Sequence, residues 1–103
     1  MTDRTLEGKA VVMTGTGRGM GRAMSTALAG AGAKVAMIDI DEDVLNEAAK
    51  LAENTGGPGS AKDFVCDVTD AQHAKATSEE IVATFGSLDV LVNDAVIGPE
   101  RIS

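Results

Sequence analysis

Four glycines alternate with other residues between a short apolar run and a helix-like pattern near the start of the chain. They are Gly15, Gly17, Gly19 and Gly21, and the apolar run covers residues 10–13. A strand, a glycine turn and a helix in this order direct backbone N–H groups and a helix N-terminus at an anion. The pattern therefore predicts a site for the phosphates of a nucleotide. A glycine-rich surface loop without a ligand is the alternative.

The spacing of these glycines excludes two common phosphate-binding motifs. Counted from Gly15 or Gly17, the last position of G-x-G-x-x-G is Met20 or Arg22. No glycine is followed at P-loop spacing by Gly-Lys-Ser/Thr. The pattern that fits residues 14–21 is Thr-Gly-x-x-x-Gly-x-Gly.

An acidic residue, Asp39, ends a second apolar run about twenty residues beyond the glycines. A carboxylate at this position accepts hydrogen bonds from the adenosine ribose hydroxyls and repels a 2′-phosphate, so it favours NAD over NADP. Ile40 follows it directly and is a further candidate contact. Arg18 could instead accommodate the 2′-phosphate, and a solvated acid at the end of a strand is the alternative interpretation of Asp39.

The glycine pattern of residues 14–21 resembles that of the short-chain dehydrogenase/reductase family. A second segment supports the resemblance, because Asp67-Val68 follows a third apolar run and is similar to the family's Asp-Val sequence. The resemblance implies that Asp67 lies against the adenine ring. A capping or turn aspartate is the alternative.

A third segment, which follows the fourth apolar run, resembles the family's Asn-Asn-Ala-Gly sequence. Asn93 and Ala95 match it, whereas Asp94 and Val96 depart from it. Val96 replaces a glycine that lets the backbone approach the cofactor closely, and Asp94 places a negative charge near a pyrophosphate. The cofactor-binding residues that these patterns predict are Gly15, Thr16, Arg18, Gly19, Met20, Gly21, Asp39, Ile40, Asp67, Val68, Asn93 and Ala95.

The resemblance implies hydride transfer between a nicotinamide cofactor and an alcohol or carbonyl substrate. In that family the reaction relies on a Ser and on a Tyr-x-x-x-Lys motif, with the tyrosine as general acid/base. The 103 residues contain no tyrosine, so we predict no catalytic residue among them. We expect the NAD-binding part of a longer reductase. The alternatives are a non-catalytic nucleotide-binding or interaction module and, third, a methyltransferase-type fold.

Strands that alternate with helices must position these residues. We predict strands over residues 10–14, 34–39, 61–66 and 88–93, and helices over about 20–31, from 41 to a loop at 55–60, and over 69–85. This alternation predicts a Rossmann-like α/β fold, a parallel sheet in the order 3-2-1-4 with helices on both faces. Residues 1–103 would form a partial dinucleotide-binding domain, truncated after the fourth strand.

Helical spacing also predicts which residues of each helix face the sheet. For the first helix they are Met20, Met24, Ala27, Leu28 and Ala31; for the second, Val44, Leu45, Ala48, Ala49 and Ala52; for the third, Ala74, Thr77, Ile81, Val82 and Phe85. The fourth strand would be an uncovered apolar edge, which favours pairing. We therefore expect either a fragment or a homo-oligomer that hides this edge.

Composition limits the partners. The net charge of -7 and the pI near 4.5 argue against nucleic acid and anionic membranes, which favour basic surfaces. The single cysteine, Cys66, excludes an internal disulfide and is interpreted as a small core residue. A lone histidine, His73, makes no metal site and is expected at the surface. No apolar run is long enough to span a bilayer, and the polar start predicts a cytoplasmic protein.

Overall fold

A computed structural model describes residues 6–15 and 19–93, with side chains described for 6–15 and 21–90. The elements alternate along the chain: β1 (Ala10–Thr14), α1 (Gly19–Gly30), β2 (Lys34–Asp39), α2 (Glu42–Gly56), β3 (Ala61–Val65), α3 (Ala71–Phe85) and β4 (Val90–Asn93). The predicted α/β arrangement, in which β1, β2 and β3 are parallel and three helices connect or follow them, is confirmed. β4 pairs in parallel with β1, which gives the sheet order β3-β2-β1-β4.

The two central strands are covered on both sides. All five residues of β1 are buried, as are the four middle residues of β2. Uninterrupted apolar runs of this kind are typical of parallel strands with helices on both faces. Alternate residues therefore belong to two cores, which we name the α1/α2 face and the α3 face after the helices that cover them.

The prediction of which residues of α1 face the sheet is wrong for Met24 and Ala27 and is confirmed for Leu28, which packs against the core of the α1/α2 face. Met24 is 37% exposed and Ala27 is exposed, whereas Gly21, Ser25 and Ala29 are buried. These three residues are spaced by four and are small, so the helix can approach the sheet closely. The hydroxyl oxygen of Ser25 is buried without a hydrogen-bond partner among the described residues. Two predicted residues remain. Ala31 is half-buried, whereas the side chain of Met20 lies outside the described part of the chain.

Polar caps set the ends of α2 and α3. Asp41 accepts the N–H of Val44 at the start of α2, and Asp70 accepts N–H groups from the first turn of α3. Side-chain capping of this kind satisfies backbone donors that the helix itself leaves unpaired. Because a capping residue is not itself helical, α3 begins after Asp70, later than predicted. Gly86 ends α3 with a positive φ of 87°, a conformation that favours glycine.

The side of α2 that faces the sheet is confirmed for Leu45, Ala48, Ala49 and Ala52, which are buried. In α3, the buried residues are Thr77 and Ile81, and Phe85 packs against their core. The prediction that Val82 also faces inward is wrong, because its side chain is 43% exposed. α3 is therefore attached to the sheet by a narrow stripe.

The start of β1 is tied to the start of β4 by a pair of hydrogen bonds. The Ala10 N–H donates to a carboxylate oxygen of Asp89 at 2.8 Å, and the Asp89 N–H donates to the Ala10 carbonyl at 2.9 Å. Ser87 Oγ lies 3.2 Å from the same carboxylate oxygen. These bonds hold the pKa of Asp89 below its usual value, chiefly through the Ala10 N–H. None of the helices in the described ranges is long and apolar enough to cross a membrane.

Candidate functional site

The carboxyl ends of the four strands meet at one edge of the sheet. The register pairs Thr14 of β1 with Ile38 of β2 and with Asn93 of β4. It also pairs Asp39, the last residue of β2, with Val65, the last residue of β3. The chain leaves the sheet at this edge after each strand, where open α/β sheets bind their ligands. The topology therefore places four of the predicted positions along a single edge; these are Gly15, Asp39, Asp67 and Asn93.

The turn after β1 has the geometry that the glycine pattern predicts at its first position. Gly15 has a φ of +67°, in the left-handed region that glycine adopts without strain. α1 then begins at Gly19 and continues for twelve residues, so its N-terminus follows this turn. Gly21 is buried. Thr16, Arg18 and Ala95 lie outside the described residues, as do the side chains of Met20 and Asn93, and the cofactor contacts of all these residues stay predictions.

Asp39 ends β2 with its carboxylate held by the backbone that follows. One carboxylate oxygen accepts the N–H of Ile40 at 2.7 Å and the N–H of Asp41 at 3.1 Å. These bonds fix the orientation of the carboxylate at the edge of the sheet. The Asp39 carbonyl accepts the N–H of Cys66 at 3.1 Å, which joins this position to the end of β3.

Asp67 forms the turn between β3 and α3. One carboxylate oxygen accepts the hydroxyl of Thr69 at 2.6 Å and its N–H at 3.0 Å. These two hydrogen bonds, the hydroxyl first, lower the pKa of Asp67 below its usual value, so the carboxyl is ionised at neutral pH. The structure thus shows the turn role that was the alternative interpretation of Asp67. Its contact with an adenine ring stays a prediction.

Two apolar side chains stand out from the same edge of the sheet. Ile40, directly after β2, is 67% exposed, and Val68, in the turn after β3, is 38% exposed. Exposed apolar side chains beside a carboxylate suit a ligand that combines a flat, weakly polar ring with hydroxyl groups. Together with the glycine turn and the start of α1, these apolar side chains and the carboxylate suit an adenosine-containing dinucleotide.

Sequence reasoning did not predict the contacts of two residues: His73, which lies near this edge of the sheet, and Asp89, which lies at the opposite edge. His73 is exposed, as expected, but its ring nitrogen Nδ1 also accepts the N–H of Asp67 at 3.4 Å. Asp89 was not singled out, although it ties β1 to β4. A polar residue directly before an apolar strand is the signal that could have found Asp89, whereas no local pattern points to the contact between His73 and Asp67. Cys66 is buried in the core, as predicted.

No group of three or more His, Cys, Asp or Glu side chains in the described ranges could hold a metal ion.

Comparison with known proteins identifies the family of this fold. The family model for short chain dehydrogenase matches residues 9–102. D-threitol dehydrogenase from Mycolicibacterium smegmatis is 38% identical over 94 residues, which cover 90% of this chain and 35% of that enzyme. The chain therefore spans about a third of the length of this curated relative.

Solved structures agree with this assignment. A short chain dehydrogenase from Mycobacterium smegmatis superposes with a TM-score of 0.85 at 34% identity, over 94% of this chain and 40% of that one. NAD+-bound xylitol dehydrogenase superposes with a TM-score of 0.79 at 31% identity, over 84% of this chain and 33% of that one.

Proposed function

The chain belongs to the short-chain dehydrogenase family, and on that premise we propose that its residues 1–103 form the NAD-binding part of such an enzyme. The observation that carries the proposal is Asp39, whose carboxylate is held at the end of β2 by the next two backbone N–H groups. A fixed carboxylate at this edge accepts hydrogen bonds from ribose hydroxyls. The same charge repels the 2′-phosphate of NADP, so we propose NAD as the cofactor.

The rest of the cofactor would extend along the same edge from this carboxylate. The turn at Gly15, with its positive φ, leads to the N-terminus of α1, where backbone N–H groups stabilise a pyrophosphate. On the other side of Asp39, the exposed side chains of Ile40 and Val68 would contact the two sides of the adenine ring. Asp67, ionised beside them, would accept a hydrogen bond from the adenine amino group.

For the full-length protein we propose an oxidoreductase that acts on an alcohol or carbonyl substrate. The bound nicotinamide would supply or accept the hydride, and residues of this chain would bind and orient the cofactor. A non-catalytic nucleotide-binding module is the second candidate. It is favoured by Asp94 and Val96, which stand in place of the family's Asn and Gly.

Two lesser proposals concern the surroundings of the protein. Val90 lies at the β4 edge of the sheet and is 44% exposed, and an apolar edge strand favours association; we propose a homo-oligomer. The buried, free thiol of Cys66 suits a reducing compartment, and we propose the cytoplasm.

Calorimetric titration of the chain with NAD and with NADP tests the proposed cofactor. We expect NAD to bind more tightly, and Asp39→Ala to lose about tenfold to a hundredfold in NAD affinity, since hydrogen bonds to charged groups contribute about 1.5–3 kcal/mol. Asp43→Ala is the matched control, because it removes the same charge from the exposed first turn of α2. Equal affinities for both dinucleotides, or equal losses in the two variants, would contradict the role of Asp39.

Activity separates the two candidate functions. The full-length protein is expected to reduce or oxidise the nicotinamide cofactor with an alcohol or carbonyl substrate, which absorbance at the reduced cofactor's band reports. Tight NAD binding without turnover on a broad substrate panel would favour the non-catalytic module. Preferential binding of S-adenosylmethionine would favour the methyltransferase-type alternative.

A further inference from the structure

The turn that carries Asp67 is held by three kinds of contact. Its carboxylate oxygen accepts two hydrogen bonds from Thr69, and its carbonyl accepts the N–H of Asp70 at 3.0 Å. Both of these partners belong to the turn itself. The third contact comes from outside the turn: the Asp67 N–H donates to Nδ1 of His73, in the first turn of α3. The imidazole therefore ties the turn to the helix.

This contact requires a neutral imidazole. A ring nitrogen accepts a hydrogen bond only when it carries no proton, so the proton of the neutral ring lies on Nε2. Protonation of Nδ1 would place two donors, the imidazolium N–H and the Asp67 N–H, against each other. The hydrogen bond would then be lost and the ring would turn away from the backbone.

Charged groups around His73 come from three parts of the structure. A groove of about 400 Å³ between β3 and α3 is lined by His73 together with Lys62 and Asp63 of β3 and Glu80 of α3. The carboxylates of Asp67 and Asp70 lie in the turn, and Asp70 accepts the His73 backbone N–H at 3.2 Å. The Asp67 carboxylate is close enough that attraction to the histidine contributes to its lowered pKa, after the hydrogen bonds from Thr69.

We propose that His73 is a positioning residue for the adenine end of the cofactor: its neutral ring fixes the turn at Asp67 and Val68, and its protonation releases that turn. The inference rests on the proposed NAD site. It makes cofactor affinity depend on pH through a residue that does not itself contact the cofactor.

The test is NAD affinity by calorimetry at pH 8 and pH 5.5 for wild type, His73→Gln and His73→Leu. We expect the wild type to bind about fivefold more weakly at the lower pH, the effect of one lost hydrogen bond. His73→Gln keeps an acceptor at both pH values and should bind as the wild type does at pH 8, with a flat profile. His73→Leu should be about fivefold weaker at both pH values.

Gln72→Leu is the matched control, since Gln72 is the exposed neighbour in the same helical turn, and we expect it to keep the wild-type pH profile. A pH dependence that persists in His73→Gln, or a His73→Leu variant that binds as the wild type does at pH 8, would overturn the proposal.

A measurement without cofactor separates this inference from the proposed function. In the NMR spectrum of the free protein, the amide proton of Asp67 should shift upfield as His73 is protonated, and should not do so in His73→Gln. If that shift is seen but the wild type binds no NAD at pH 8, the proposed NAD site is wrong and the positioning role falls with it. If NAD binds but the Asp67 amide does not follow His73, the positioning role alone is wrong.

Discussion

The α1/α2 face of the sheet and the α3 face are filled in different ways. The buried core of the α1/α2 face contains many alanines between Met13, Met37 and Leu45, and two helices cover it. On the α3 face, the buried core is a smaller cluster around Ile38, Phe64 and Ile81, and one helix covers it. Small residues bring α1 and α2 close to each other, whereas α3 contacts the sheet through a few larger side chains.

The two parts of the candidate site are supported by different faces of the sheet. Gly15 directly follows β1 and Asp39 ends β2, and the residues of these strands on this face pack against α1 and α2, so the position proposed for the ribose is supported by that packing. Asp67 and Val68 lead into α3, which is held by its caps and a narrow buried stripe. We therefore expect the adenine end of the site to adjust more readily than the phosphate end. The contact of His73 with Asp67 lies at the adenine end, where it can influence the position of the turn.

The largest expected effect on stability comes from two substitutions that make equivalent cavities, one on each face of the sheet. Leu45 and Ile81 are both almost fully buried, and each is the largest helical side chain in its buried core. Leu45→Ala should lower the free energy of unfolding by about 4 kcal/mol and Ile81→Ala by about 2–3 kcal/mol, because the thinner α3 face can collapse around the cavity. Urea unfolding followed by circular dichroism measures both. An equal or larger loss for Ile81→Ala would show that the two faces are packed alike.

The next largest effect on stability is expected for a substitution at the close contact between α1 and α2. A Cβ at Gly56 would lie 2.5 Å from the carbonyl oxygen of Ala29, which is backbone and cannot yield. Gly56→Ala should therefore lower stability by about 3 kcal/mol.

Gly30→Ala is the matched variant at the same contact. There the added Cβ would lie 3.2 Å from a methyl group of Thr55, which can rotate away, and the gain in helix propensity offsets the crowding. This variant should stay within about 0.5 kcal/mol of the wild type. If both variants unfold at the same urea concentration, the helices are not in the close contact described.

The smallest expected effect is a loss of folding stability at low pH. The folded-state pKa values of Asp67 and Asp89 are lowered, by the Thr69 hydrogen bonds and by the Ala10 N–H respectively. A lowered pKa means that the unfolded chain binds protons more readily, so the stabilisation is present above the unfolded pKa and is lost as pH falls through the folded one. Stability should accordingly fall between about pH 5 and pH 2.

Asp89→Asn should make this acid-induced loss shallower, and Ser87→Ala, which removes one donor to Asp89, should change it by less. Urea midpoints measured across the acid range report both. A wild-type profile that is flat from pH 5 to pH 3, where the loss is expected, would contradict the assigned hydrogen bonds.

The order of the elements was predictable because apolar runs and turn residues alternate regularly, and Asp41, Leu45 and Gly86 behave as their residue types suggest. The side of α1 that faces the sheet was not, because hydrophobicity points to Met24 whereas close packing selects the small Ser25. Hydrophobicity is a poor guide where a helix must approach a strand closely.

Site residues were predictable by position along the chain but not by contact. Asp39 and Asp67 follow β2 and β3 as expected, and the register brings their strand ends together. That Asp67 is bound by Thr69, and that its N–H reaches His73, depends on the path of the turn. Asp67 and His73 are six positions apart in the sequence, and no local pattern at that distance specifies a backbone-to-imidazole bond.

The place of β1 between β2 and β4 has a consequence for how the chain folds. β1 is synthesised before its two neighbours in the sheet. It can pair on one side with β2 as soon as β2 is made, but its other side stays unpaired until β4 is made. The bond from Ala10 to Asp89 joins residues 79 positions apart, and a loop of that length closes slowly because its entropy must be lost before the contact forms. One edge of β1, whose five residues are all buried in the folded chain, is therefore covered only after β4 has been made. Until then this edge is open to pairing with another chain.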